Sequence, residues 1–157
     1  MAAMWQGSVV SLHIAPAAGQ PMETVPEASA LAGRGLEGDR YALGTGYYSR
    51  KPGEGGRELT LIEMEALDAL PALGVKLGAA ESRRNIVTVG VPLNHLVGRE
   101  FWVGAVKLRG TRLCEPCRYL DGLTQDGAMA ALVHRGGLRA RILNDGLIRA
   151  GDPVKPA

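Results

Sequence analysis

Apolar residues recur along this chain mainly in short alternating runs punctuated by glycine and proline, the pattern of half-buried strands. Gly7-Ser-Val-Val-Ser-Leu-His-Ile14 alternates and is rich in β-branched residues, so it predicts a strand. After a loop over residues 15–21, the Ala-rich stretch 23–33, with Pro26 near its start, predicts a single helical turn. Gly33, Gly35 and Gly38 then frame Arg34-Gly-Leu-Glu-Gly-Asp-Arg40; glycines this dense demand a tight backbone path or close approach by a ligand. Residues 44–56 are too glycine-rich to pack and predict a mobile loop able to close over a ligand.

Strand character resumes at Glu58-Leu-Thr-Leu-Ile62. Ile62, Ala66, Leu70 and Leu73 recur at helical spacing, interrupted by Pro71, which predicts an amphipathic helix of about two turns. Asn85-Ile-Val-Thr-Val89 predicts a strand, and Pro92-Leu-Asn-His-Leu-Val-Gly98 one turn opened by proline and closed by glycine. Phe101-Trp-Val103 and Val106-Lys-Leu-Arg-Gly-Thr-Arg-Leu113 predict a hairpin around Gly104-Ala105. Met129, Leu132 and Val133 predict a helix within residues 124–135, stopped by Gly136-Gly137. Leu138-Arg-Ala-Arg-Ile-Leu143 and Leu147-Ile148, joined across Asn144-Asp-Gly146, carry the strongest hairpin signal in the chain. Many short strands and few short helices predict a mainly β fold, a closed or partly closed β-barrel with short helical insertions. The strand-helix alternation of a doubly wound sheet is missing, as is any repeat at a solenoid or propeller period.

Composition narrows the classes of function. With 157 residues, 46% of them hydrophobic, the chain is expected to form one domain spanning residues 1–157. A net charge of +2 gives no support to a nucleic-acid partner, although Arg well outnumbers Lys, which suits anion recognition. No 18-residue apolar run occurs and the N-terminus lacks a basic start and long apolar core, so cytoplasm is the expected location and a membrane is not expected as a partner. No nucleophile elbow, P-loop or dinucleotide fingerprint is present.

Cys114-Glu-Pro-Cys117 holds the only two cysteines, at a strand-to-loop junction. A thiolate attacks, binds soft metals or carries sulfur; Arg112 and Arg118 favour that form and Glu115 opposes it. In a reducing compartment a CxxC points to redox chemistry or metal rather than a structural bridge. Structural zinc needs four ligands, and neither a second CxxC nor an HxxxH exists; His13, His95 and His134 are scattered and read as structural or surface residues. A thiol-disulfide redox protein is one reading, although such chemistry usually places the pair at a helix N-terminus in a βαβ setting.

Five motifs taken together carry a resemblance. Gly35-Leu-Glu-Gly-Asp-Arg40, Glu58-Leu-Thr-Leu-Ile62, Ser82-Arg-Arg-Asn-Ile-Val-Thr88, the stretch 93–98 and Gly110-Thr-Arg-Leu-Cys-Glu-Pro-Cys117 occur in the order and spacing of the MOSC domain, named for the C-terminal domain of molybdenum cofactor sulfurases. The resemblance covers residues from about Val9 to about Val154. It implies a pyruvate-kinase-barrel-like β-barrel, a cleft for the molybdenum cofactor or a related ligand, and a cysteine that carries sulfur as a persulfide or ligates molybdenum. The match to Pro116-Cys117 with Leu120-Asp121 makes Cys117 the expected catalytic sulfur and metal ligand. Cys114 is either a helper that resolves a persulfide or completes a chelate, or one buried apolar residue among many.

Holding the cofactor's phosphate then falls to Arg40, Arg57, Arg83, Arg84 and Arg112, because guanidinium pairs bidentately with phosphate oxygens. Arg40 and Arg84 lie inside the motifs and are favoured. Asp39 is expected to orient Arg40 or to touch the ligand itself, and Asn85 to read pterin polar atoms or to cap backbone groups. The resemblance further implies a sulfur carrier or a small molybdenum-dependent reductase of N-hydroxylated compounds. A carrier requires a sulfur donor such as a cysteine desulfurase, and a reductase requires an electron-donor partner. Pyridoxal phosphate is not expected, since in full sulfurases it belongs to a separate aminotransferase-like domain.

Overall fold

Strand β1 (Gly7–Ile14) turns both Val9 and Leu12 into the core although three positions separate them. A bulge between Val9 and Ser11, against strand β6 (Ile86–Val89), absorbs the extra residue and leaves Val10 exposed. These coordinates come from a computed structural model that describes residues 5–46, 58–114 and 135–157.

The remaining strands are β2 (Glu23–Val25), β3 (Glu27–Leu31), β4 (Gly35–Leu36), β5 (Leu59–Glu63), β7 (Glu100–Val103), β8 (Val106–Leu113), β9 (Leu138–Ile142), β10 (Gly146–Arg149) and β11 (Pro153–Pro156). Seven of them close a mixed barrel in the order β1-β6-β5-β9-β8-β7-β11, with β11 pairing back onto β1. Among the strands of the described residues only β5 and β6 pair in parallel. Strand β2 extends β1 at its far end, and β10, β3 and β4 form a second small sheet. The fold is mainly β, as the turn-punctuated pattern predicts.

Inward residues from every barrel strand fill the centre, with Leu12, Leu59, Leu61, Ile86, Phe101, Leu108 and Leu138 fully buried. Parallel strands cannot be joined by a tight turn, so β5 and β6 need a crossover. Helix α2 (Met64–Asp68) and two 3-10 turns, Leu70–Leu73 and Ala80–Ser82, supply it. Ala66, Leu67, Leu70, Val75 and Leu77 of that crossover pack on Ile62 and Val87, the outward residues of the two strands. Burial on both faces explains the unbroken apolar runs of β5 and β6. The predicted amphipathic segment over 62–73 therefore forms as a short α-helix followed by a 3-10 turn with Pro71 in its first positions. The turn over 92–98 is the 3-10 segment Leu93–Leu96, and the β7–β8 hairpin turns at Gly104-Ala105 as expected.

Two expectations are corrected. Residues 23–31 form strands β2 and β3, not a helical turn: Ala28 and Ala30, two apart, are small inward residues of a strand paired with β10, and this pairing overrides alanine's helix propensity. Asn144-Asp-Gly146 turns the chain, yet β9 and β10 do not form a hairpin with each other. Asn144 Oδ1 accepts from Lys107 N (2.6 Å) and its Nδ2 donates to Ala105 O (3.1 Å), while Asp145 Oδ1 accepts from Ala32 N (2.7 Å). These bonds leave β9 between β8 and β5 and send β10 away to β3. The helix expected within 124–135 and most of the loop expected over 44–56 lie outside the described residues.

Candidate functional site

Strand β8 ends at Leu113, which pairs with Leu138 at the start of β9, and the next residue, Cys114, is 4% exposed. Cys114 N donates to Gly137 O at 2.7 Å. The chain therefore leaves the barrel after Cys114 and returns at Gly136-Gly137 beside its point of departure. Gly137 has φ +108°, and a Cβ there would lie 2.0 Å from Leu61 O, so only glycine fits the return path.

Arg84 spans this junction from β6's approach. Its Nε donates to Gly136 O (2.7 Å), Nη2 to Cys114 O (3.2 Å) and Nη1 to Ser82 O (3.4 Å). One buried guanidinium thus holds both ends of the segment that carries Cys117. Arg83, in the left-handed region at φ 63°, donates from Nη1 to Gln20 O, and its own carbonyl accepts from Arg40 Nη2 at 3.2 Å.

Asp39 and Arg40 follow the glycine turn. Asp39, fully buried, caps helix α1 (Arg40–Leu43), accepting from Tyr41 N; its Oδ1 also accepts from Ala15 N (3.1 Å) and Arg40 Nη1 (3.0 Å). Arg40 Nη1 also approaches Met22 Sδ at 3.2 Å, and the guanidinium lies 5.0 Å from the Tyr41 ring centre. Asn85 is equally buried. Its Oδ1 accepts from Thr60 N and Oγ1, and its Nδ2 donates to His13 O, so it locks β1, β5 and the approach to β6 together.

Asp39, Arg40, Arg83, Arg84 and Cys114 thereby form a continuous chain of contacts, which the sequence motifs alone suggest only as neighbours in sequence. Arg40 and Arg84 direct guanidinium donors at protein atoms, and Asn85 caps backbone and hydroxyl groups. Arg112, by contrast, is exposed on β8, opposite Arg139 of β9 and two residues from Cys114. Cys117 and Arg57 lie outside the described residues, as does His134.

Two titratable groups near this end are shifted. Burial lowers His13 below its ordinary value of 6.5; Ser11 Oγ and Thr24 Oγ1 flank its ring nitrogens at 2.8 and 3.0 Å. Burial, and then the neighbouring Glu65, raise Glu63, while Arg135, His95 and the Leu93 backbone pull it back. Sequence reading missed the hydrogen-bonding role of His13, since a lone histidine in a strand gives no sign of its partners. Among the described residues no group of three or more His, Cys, Asp or Glu is arranged to hold a metal, and no helix is long and apolar enough to cross a membrane.

The described residues form a closed mixed β-barrel whose β8–β9 junction is pinned by one buried arginine. Residues 48–155 match the MOSC domain, and the chain belongs to that family. Among solved structures it is similar to the YuaD protein of Bacillus subtilis, with a TM-score of 0.75 at 16% identity over 96% of this chain and 97% of that one. It is also similar to YiiM of Geobacillus stearothermophilus (TM-score 0.69, 14% identity, 96% of this chain and 75% of that one) and to YiiM of Escherichia coli (0.67, 18%, 99% and 70%). At these identities the likeness is one of fold. No curated protein matches the chain.

Proposed function

We propose that this MOSC chain, as a single unit, binds a molybdenum cofactor beside the β8–β9 junction and acts there as a sulfur carrier or as a small reductase of N-hydroxylated compounds. The observation that carries this reading is the pinning of both ends of the cysteine segment at one place, next to the exposed Arg112. The donor set suits the group: a soft sulfur matches a thiophilic metal, and a guanidinium directed outward matches a terminal phosphate. Bound there, the group would supply a thiophilic metal centre able to change oxidation state.

Cys117 would hold the metal or bear the sulfane sulfur, with Arg112 and Arg57 as anion contacts. Arg84, Arg83, Arg40, Asp39 and Asn85 would shape the wall, because the structure already engages them in holding backbone. Cys114, buried at a strand end, is better suited to packing than to attack, which also weakens a thiol-disulfide reading for the pair. A cysteine desulfurase would serve the carrier role and an electron-donor reductase the reductase role.

The test is elemental analysis of protein purified from a host that makes molybdenum cofactor. Wild type is expected to carry molybdenum and Cys117→Ala to lose most of it. Metal-free wild type, with Cys117→Ala indistinguishable in cofactor binding, overturns the reading.

A further inference from the structure

We infer that the outer face of β8 and β9 is a docking surface for a carboxylate-rich patch of a partner protein. The register places Arg109 opposite Arg141 and Arg112 opposite Arg139. Leu108, Leu138, Ala140 and Ile142 face the barrel, and the bulge between Gly110 and Arg112 returns Arg112 to the side of Arg109, so all four arginines share the outer surface. Side chains directly opposed across antiparallel strands start about 5 Å apart, and like charges there destabilise the sheet. Alternation asks only for polar residues on this face, yet the fold repeats the same unfavourable pairing twice.

Neutralisation within the described chain is partial. Glu100 lies 3.0 Å from Lys107 and 3.8 Å from Arg109, but no ion pair reaches Arg112 or Arg141 among the described residues. Arg109, Arg112 and Arg141 are exposed.

The geometry selects the kind of partner. Both strands are paired on both edges inside a closed barrel, so nothing can add as a further strand and contact must run through side chains. The rows are spaced about 7 Å along β9 and about 5 Å across, which suits carboxylates at alternate positions of an extended segment. Glu100 beside the row and a net charge of only +2 oppose a continuous nucleic-acid backbone. On β8 the row runs from Arg109 to Arg112, two residues before Cys114, so a docked protein would stand next to the β8–β9 junction. That the docked protein is the sulfur or electron donor rests on the function proposed above; the basic face itself does not.

The test uses the full chain and a fluorescent ten-residue peptide of alternating Glu and Ser, followed by anisotropy at low salt. Reversing two arginines outside the proposed cofactor set, in Arg109→Glu/Arg141→Glu, is expected to weaken binding about tenfold or more, with wild-type affinity falling steeply as salt is added. Arg149→Glu, on β10 of the small sheet, is expected to leave binding unchanged, and a neutral Arg109→Gln/Arg141→Gln variant to fall between, guarding against a misfolded reversal. Equal peptide binding by wild type and the reversed variant overturns the inference. So does tighter binding of a single-stranded oligodeoxythymidine of equal charge that the same variants abolish, or displacement of the peptide by micromolar pyrophosphate. Molybdenum content measured on the same samples separates the two ideas: a metal-free wild type that still shows the arginine-dependent binding leaves the docking face standing while removing the cofactor reading.

Discussion

Asp39 has no exposed surface, and its carboxylate serves three groups at once: the α1 N-terminus, the Ala15 amide and the Arg40 guanidinium. Asp39→Ala would leave a nearly buried arginine without its counter-charge, and breaking a buried pair from one side destabilises by about 3–5 kcal/mol. Urea denaturation is expected to show a loss of unfolding free energy of that size; a change below about 1 kcal/mol would mean that Arg40 relaxes outward to solvent. His13 makes a second prediction. Because burial lowers its folded pKa below 6.5, the unfolded chain takes up the proton first as the pH falls. Its contribution to stability is therefore intact above 6.5 and declines from there down to the lowered folded value. Glu63, raised by burial, works in the opposite sense, favouring the fold as the pH falls through its folded value toward 4.5. Stability measured against pH is expected to drop more steeply below 6.5 in wild type than in His13→Gln, and parallel curves would remove His13 as the cause.

Among the elements, the β8–β9 junction is the most exacting. Gly137→Ala would combine a Cβ 2.0 Å from Leu61 O with a backbone angle alanine avoids, and is expected to cost more than about 1 kcal/mol. The change would also release Gly136 O and Cys114 O from Arg84, so faster alkylation of Cys114 should accompany the lower melting temperature; unchanged alkylation would show that Arg84 holds the junction unaided. The elements also differ in how readable they are. β1 follows from β-branched alternation, β5 and β6 from short apolar runs, and the β7–β8 hairpin from a two-residue Gly104-Ala105 turn, all local signals. β3 does not, because Ala28 and Ala30 are chosen by the space beneath β10, more than a hundred residues away in sequence. The pairing of β9 with β5 and β8 is likewise decided by Asn144 and Asp145 reaching Lys107, Ala105 and Ala32, and nothing in Asn-Asp-Gly announces those partners.

At the scale of the whole molecule, closure depends on β11, which pairs with β7 on one side and β1 on the other. Deleting residues 153–157 would open the barrel, expose two strand edges and uncover Val9, Phe101 and Val103, inward neighbours of the fully buried Val154. Loss of a single cooperative unfolding transition, with faster amide exchange in β1 and β7 than in β5 and β6, is the expected result; uniform exchange would show that the sheet closes without it. The sequence motifs brought Asp39, Arg40, Arg83, Arg84 and Asn85 into one neighbourhood, but which of them spend their donors on the protein became visible only with the closed barrel. That closure also bears on the segment between Cys114 and Gly136. Its two ends are joined by the sheet and by one guanidinium, so the entropy of bringing them together is met by the barrel. Lengthening the chain between these fixed ends would then add only the slow logarithmic penalty of closing a longer span. In polymer terms the barrel holds the two anchor points at Cys114 and Gly136 at a fixed separation, so chain length between them can vary at little cost to the scaffold.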